Sequence, residues 1–110
     1  MKERDENILG KILDEIAMLE AYTAKLTRDE FMKDEIVKRA TAMTLINIGE
    51  LTNHLSKEFQ KEYAKIPYRK IVDLRNVAAH GYHQLHFNFI WDTIKTDVPQ
   101  LREAINKIKP

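Results

Sequence analysis

Residues 27–59 read TRDEFMKDEIVKRATAMTLINIGELTNHLSKEF, and the periodicity of this stretch decides the fold class. Thr27-Arg28-Asp29-Glu30 matches a capping box, in which a hydroxyl and a carboxylate three residues apart each satisfy an unpaired backbone N–H at a helix start. From there Met32, Ile36, Val37, Ala40, Met43, Leu45, Ile46, Ile48, Leu51 and Leu55 recur at helical spacing to about Phe59. They occupy more than one face, which predicts a central second helix packed on several neighbours. Gly49 within it costs about 1 kcal/mol relative to Ala, so the expected reason for it is close approach of another helix. Asn47, Glu50 and Asn53, polar residues three apart, are expected to face water, an interface or a hydrogen-bonded seam rather than to act in catalysis.

On the N-terminal side, Ile8, Ile12, Ile16, Leu19, Tyr22 and Leu26 mark an amphipathic first helix from about Asp5 to Leu26. On the C-terminal side, Lys57 to Ile66 is charged without sustained apolar period and reads as the longest connection. Pro67 then opens a third helix, since a proline is well tolerated where its missing N–H would have no partner. Ile71, Val72, Leu74 and Ala78 give that helix a short buried face, and Gly81 ends it. From Asn88 to about Lys109 the residues Ile90, Trp91, Ile94, Val98, Leu101, Ile105 and Ile108 keep helical spacing, and Pro99 predicts a kink or a break into a fourth and a short fifth helix. The expectation is an all-α, up-and-down four-helix bundle with a short or kinked C-terminal fifth helix, forming one domain over residues 1–110.

Composition narrows the function. A chain of 110 residues, 44% hydrophobic and 32% charged, is typical of a globular protein with a real core. Its net charge of +1 implies no broad basic face for duplex DNA, so any nucleic-acid contact is expected to be local. The absence of cysteine excludes disulfides and thiolate metal sites and suits a reducing cytoplasm. No uninterrupted apolar run follows the charged N-terminus, so neither a signal peptide nor a membrane span is expected.

Chemistry concentrates in Asp73-Leu74-Arg75-Asn76-Val77-Ala78-Ala79-His80-Gly81-Tyr82. Arg holds a phosphoryl group through two parallel hydrogen bonds, and His transfers protons near neutral pH. Together they suggest phosphodiester chemistry without a metal. With six Arg and four His in the chain, an Arg followed five residues later by a His arises by chance about 0.2 times, and a further Tyr two residues on lowers this to about 0.01, so the three-residue combination is the informative one. In a helix, Arg75 and His80 stand about 140° apart around the axis and about 7.5 Å apart along it. They do not share a stripe, which suggests that each is half of a composite site at a subunit interface. The competing reading makes Arg75 a surface ion-pair partner, His80 a partner of the helix dipole and Tyr82 a core aromatic. His80, His83 and His86 at three-residue intervals do not suggest a metal site, because Gly81 breaks the helix that would align them and no carboxylate lies among them.

With the motif placed at the end of the third helix of a small bundle, the chain resembles the HEPN superfamily and, within it, the HepT-like toxins. The resemblance spans most of the chain: Ile46-Asn47-Ile48-Gly49-Glu50, Ile66-Pro67, Arg75-Asn76 with His80-Gly81-Tyr82, and Trp91 followed by Val98-Pro99-Gln100-Leu101. Tyr68 stands where relatives commonly carry Trp. The resemblance implies a homodimeric, metal-independent endoribonuclease, the toxin of a toxin-antitoxin pair, with Arg75 and His80 catalytic, Asn76 binding substrate and no cofactor. It also implies a minimal nucleotidyltransferase antitoxin that attaches AMP to Tyr82. The residues themselves fit the chemistry: attack of a ribose 2′-hydroxyl on its phosphate needs a proton acceptor, suited to His80, and relief of phosphorane charge, suited to Arg75. The alternative is a non-catalytic helical dimer that docks a nucleotidyltransferase.

Overall fold

The computed structural model describes residues 1–80 and 87–108, His80 in its backbone only. Its helices are α1 (Glu3–Thr23), α2 (Arg28–Lys33), α3 (Glu35–Asn53), α4 (Lys57–Glu62), α5 (Tyr68–His80), α6 (Phe87–Lys95) and α7 (Asp97–Ile108). No strand occurs among the described residues, so the expected all-α fold is the one that forms.

The stretch read as one long second helix is divided at Asp34. Its side chain accepts a hydrogen bond from the Val37 N–H at 3.0 Å and so starts α3, while its own N–H closes α2 on the Phe31 carbonyl at 3.1 Å. Asp offers the backbone this alternative to continued helix, and here the local bond wins. The break lets α2 turn Phe31 into the core, where its ring lies 6.1 Å from Phe87 and 5.1 Å from Trp91. The capping box before it is realised in both directions, Glu30 N–H to Thr27 Oγ1 at 3.2 Å and Thr27 N–H to Glu30 Oε1 at 2.9 Å.

A second correction falls on Lys57 to Ile66, which contains α4 rather than a bare connection. Ser56 caps α4 by accepting from the Phe59 N–H at 3.1 Å, and buried Phe59 stacks on Tyr63 at 4.7 Å. The helix is too short to show a period, and its cap is what marks it. Further on, the break between α6 and α7 lies at Thr96, upstream of Pro99. Pro99 thereby stands in the first turn of α7, where its lack of an N–H costs nothing.

Helix α3 is central, packing against α1, α2 and α5. Against α1 it runs antiparallel, as two cross-links show, Glu15 with Asn47 and Tyr22 with Thr44, and Asp5 near the start of α1 reaches Ser56 just beyond the end of α3. The core between them contains Leu9, Ile12, Ile16 and Leu19 of α1 with Leu45 and Ile48 of α3. A Lys70–Asp97 ion pair of 2.9 Å joins α5 to α7, and Arg102 pairs with Glu20 to join α7 to α1. Among the described residues no helix is long and apolar enough to cross a membrane.

Candidate active site

Arg75 is placed by an absence on the facing helix. A Cβ added to Gly49 of α3 would lie 2.2 Å from Cβ and 2.6 Å from Cγ of Arg75. Those distances are far inside van der Waals contact, so α5 reaches its position only because residue 49 has no side chain. This is the close helix approach expected from a glycine in mid-helix.

The adjoining residue fixes the guanidinium. Arg75 donates from Nη2 to Glu50 Oε1 in an ion pair and from Nη1 to Asn76 Oδ1 at 2.9 Å. Such charge-assisted hydrogen bonds are about twice as strong as neutral ones. The arginine side chain is 31% exposed and the glutamate 43%, so the pair stands at the surface with the guanidinium open on one side. Gly49, Glu50, Asn53, Val72 and Arg75 line a small cavity of about 120 Å³. Because Asn76 turns its oxygen to Arg75, its amide N–H groups point away, and among the described residues they have no partner.

Of the polar residues at three-residue spacing on α3, two enter the interhelical seam. Asn47 donates to Glu15 of α1 at 2.7 Å, and Glu50 pairs with Arg75 of α5, while Asn53 is exposed. Glu50 belongs to the setting of Arg75 and was not among the candidate site residues. Its signal in the sequence was adjacency to Gly49, since the residue beside a helix–helix contact lies at the edge of that contact.

The other candidates are located less fully. His80 is the last described residue of α5, Gly81 that is expected to end this helix lies outside the described residues, and the helical backbone between His80 and Arg75 sets their separation at about 7.5 Å along the axis. The side chain of His80 lies outside the described residues, as do Tyr82, His83 and His86. The structure therefore brings Arg75 and Asn76 together with Glu50.

Comparison with known proteins assigns the family. The family model described as "Ribonuclease HepT-like" matches residues 12–108. A protein of Caldanaerobacter subterraneus subsp. tengcongensis, provisionally named an RNase, is 31% identical over 100 residues, covering 91% of this chain and 89% of its own. One of Thermococcus cleftensis, named a probable ribonuclease HepT, is 26% identical over 109 residues and covers 99% of both chains. One of Methanocaldococcus jannaschii, also provisionally named an RNase, is 26% identical over 106 residues, covering 96% of this chain and 97% of its own. No solved structure matches the chain. The match over nearly the whole length, with relatives of the same length, places this chain in the HepT-like ribonuclease family.

Proposed function

We propose that this chain is a metal-independent endoribonuclease, the toxin of a toxin-antitoxin pair, acting through Arg75, Asn76 and His80. Membership of a ribonuclease family makes RNA the substrate class. The observation that carries the mechanism is the clamped guanidinium: Arg75, held between Glu50 and Asn76, stands on the same helix as His80.

In the reaction, the ribose 2′-oxygen attacks the adjoining phosphorus and gives its proton to His80. The phosphorane that forms carries extra negative charge on its equatorial oxygens, which Arg75 stabilises with its unshared N–H donors. Asn76 orients the phosphate through its amide N–H groups. The P–O5′ bond then breaks, a proton returns to the leaving oxygen, and the products are a 2′,3′-cyclic phosphate and a 5′-hydroxyl. A metal is not required, since the cation at the phosphate is Arg75.

The working unit is a homodimer. Arg75 and His80 stand about 140° apart around α5, and two copies related by a two-fold axis bring both groups to one cleft. Inactivation follows from Tyr82: a minimal nucleotidyltransferase transfers AMP to its hydroxyl, and the added phosphodiester places negative charge beside the RNA-phosphate site. Mixed dimers test the arrangement. Heterodimers of an Arg75→Ala chain with a His80→Ala chain are expected to regain cleavage at one of the two clefts, to about half the wild-type rate, while each homodimer is slowed about 100- to 10,000-fold. Activity of an isolated monomer overturns the dimeric site. Co-expression with the transferase should add adenylate to Tyr82, and adenylate on another residue overturns that assignment.

A further inference from the structure

We propose that Glu50 is the positioning residue for Arg75. The inference rests on the reading of Arg75 as the group that holds the scissile phosphate, and it assigns to α3 a part in the site that the motif on α5 does not contain.

Three features converge on it. Arginine has a long, flexible side chain, and a phosphate-binding role needs its plane fixed before substrate arrives. Glu50 holds one terminal nitrogen and Asn76 the other, so the plane is set by two acceptors on different helices. Gly49 supplies the second feature, because its missing side chain lets the first carbons of Arg75 rest on the α3 backbone, next to the residue that pairs with its far end. Base and tip of one side chain are thus held by consecutive residues of α3. The third feature is exposure. A pair at 31% and 43% exposure contributes little to stability, so fold maintenance does not account for it well.

The role has a distinctive kinetic signature. Glu50 offsets part of the guanidinium charge, so it adds nothing to the attraction of RNA, and its contribution lies in geometry. A shift of about 1 Å in a positioned group costs about 100-fold in rate. In Glu50→Ala, kcat is therefore expected to fall about 10- to 100-fold with KM changed less than about threefold. Glu50→Gln, which keeps the acceptor oxygen, should remain within about threefold of wild type. Glu50→Asp, which keeps the charge but withdraws the carboxylate by one methylene, should lose more than Glu50→Gln.

The experiment measures kcat and KM for these variants, for Arg75→Ala and for the Glu50→Ala/Arg75→Ala double variant on one RNA. The double variant is expected to be no slower than Arg75→Ala, because a residue that acts only through Arg75 has nothing left to position. Wild-type kcat in Glu50→Ala beside an inactive Arg75→Ala overturns the inference, as do losses that add in the double variant. If Glu50→Ala does not fold, Glu50→Asp decides: wild-type kcat there overturns the inference and a reduced kcat supports it. Wild-type cleavage by Arg75→Ala is a different result, since it removes the role of Arg75 itself.

Discussion

Gly49 and Arg75 are in contact where any side chain at residue 49 would collide with the arginine, a Cβ falling 2.2 Å from Arg75 Cβ. The atoms it would meet are the first carbons of Arg75, fixed to the α5 backbone, so they do not swing aside as a side-chain tip would. Gly49→Ala gains about 1 kcal/mol in helix propensity and loses about 1–3 kcal/mol to overpacking. The clash is severe enough that the loss wins, and urea unfolding is expected to show net destabilisation of up to about 2 kcal/mol. A stabilised Gly49→Ala protein contradicts the contact.

Phe31 tests the position of α2. It is fully buried, with Phe87 and Trp91 of α6 against its ring. Phe31→Ala should cost about 3–5 kcal/mol in denaturant unfolding, the range for truncating a large aromatic in a core. A cost below about 1 kcal/mol is incompatible with this burial.

Asp5 gives a pH-dependent test. Its carboxylate is 2% exposed and accepts from the Ser56 N–H at 2.9 Å and the Ser56 hydroxyl at 2.7 Å. Burial alone pushes its pKa up, but the two Ser56 hydrogen bonds and the charges of Lys2 and Arg4 outweigh it and hold the carboxyl below its ordinary value. A lowered folded pKa stabilises above the unfolded value of about 4, and that stability is lost as pH falls through the folded pKa. Asp5→Asn should therefore be less stable than wild type by about 1–3 kcal/mol at pH 7, and the gap should narrow below about pH 4. An unchanged gap between pH 7 and pH 2.5 contradicts the assignment.

The parts of the fold legible in the sequence were those set by long periodicity. The apolar residues of α1 and the broad apolar surface of α3 predicted an amphipathic helix against a central one, and α3 packs on three neighbours. Breaks set by single side chains were harder to read. Asp34 and Ser56 act by capping the residue three positions on, a local hydrogen bond that periodicity does not register, so the apolar pattern runs α2 into α3 and shows no helix at α4. At the candidate site, Gly49 was legible because glycine in mid-helix has few uses. The pairing of Glu50 with Arg75 was not, since the two are 25 residues apart and the charge looks like that of any solvated helix face.

The tyrosine at residue 68 is held as a packed polar aromatic. Its hydroxyl donates to the Tyr63 carbonyl at 2.8 Å, and burial, with a smaller effect of Asp5, pushes its pKa up to about 12. Tyr68→Phe removes that hydrogen bond and should cost about 0.5–1.5 kcal/mol, with the carbonyl left to find another donor. Since the folded pKa is raised and the proton is retained, ultraviolet titration of wild type should show a tyrosine ionisation near pH 12 that is missing from Tyr68→Phe. A titration identical in the two proteins contradicts it.

The central claim is that RNA is cleaved by groups of this chain without a metal. Purified protein in EDTA, incubated with RNA of defined sequence and followed by mapping of the product ends, tests it most directly. Cleavage to 2′,3′-cyclic phosphate and 5′-hydroxyl ends is expected, falling about 100- to 10,000-fold in His80→Ala and in Arg75→Ala while helicity is retained. Cleavage that stops in EDTA and returns with added metal, or that persists at the wild-type rate in either variant, contradicts the account.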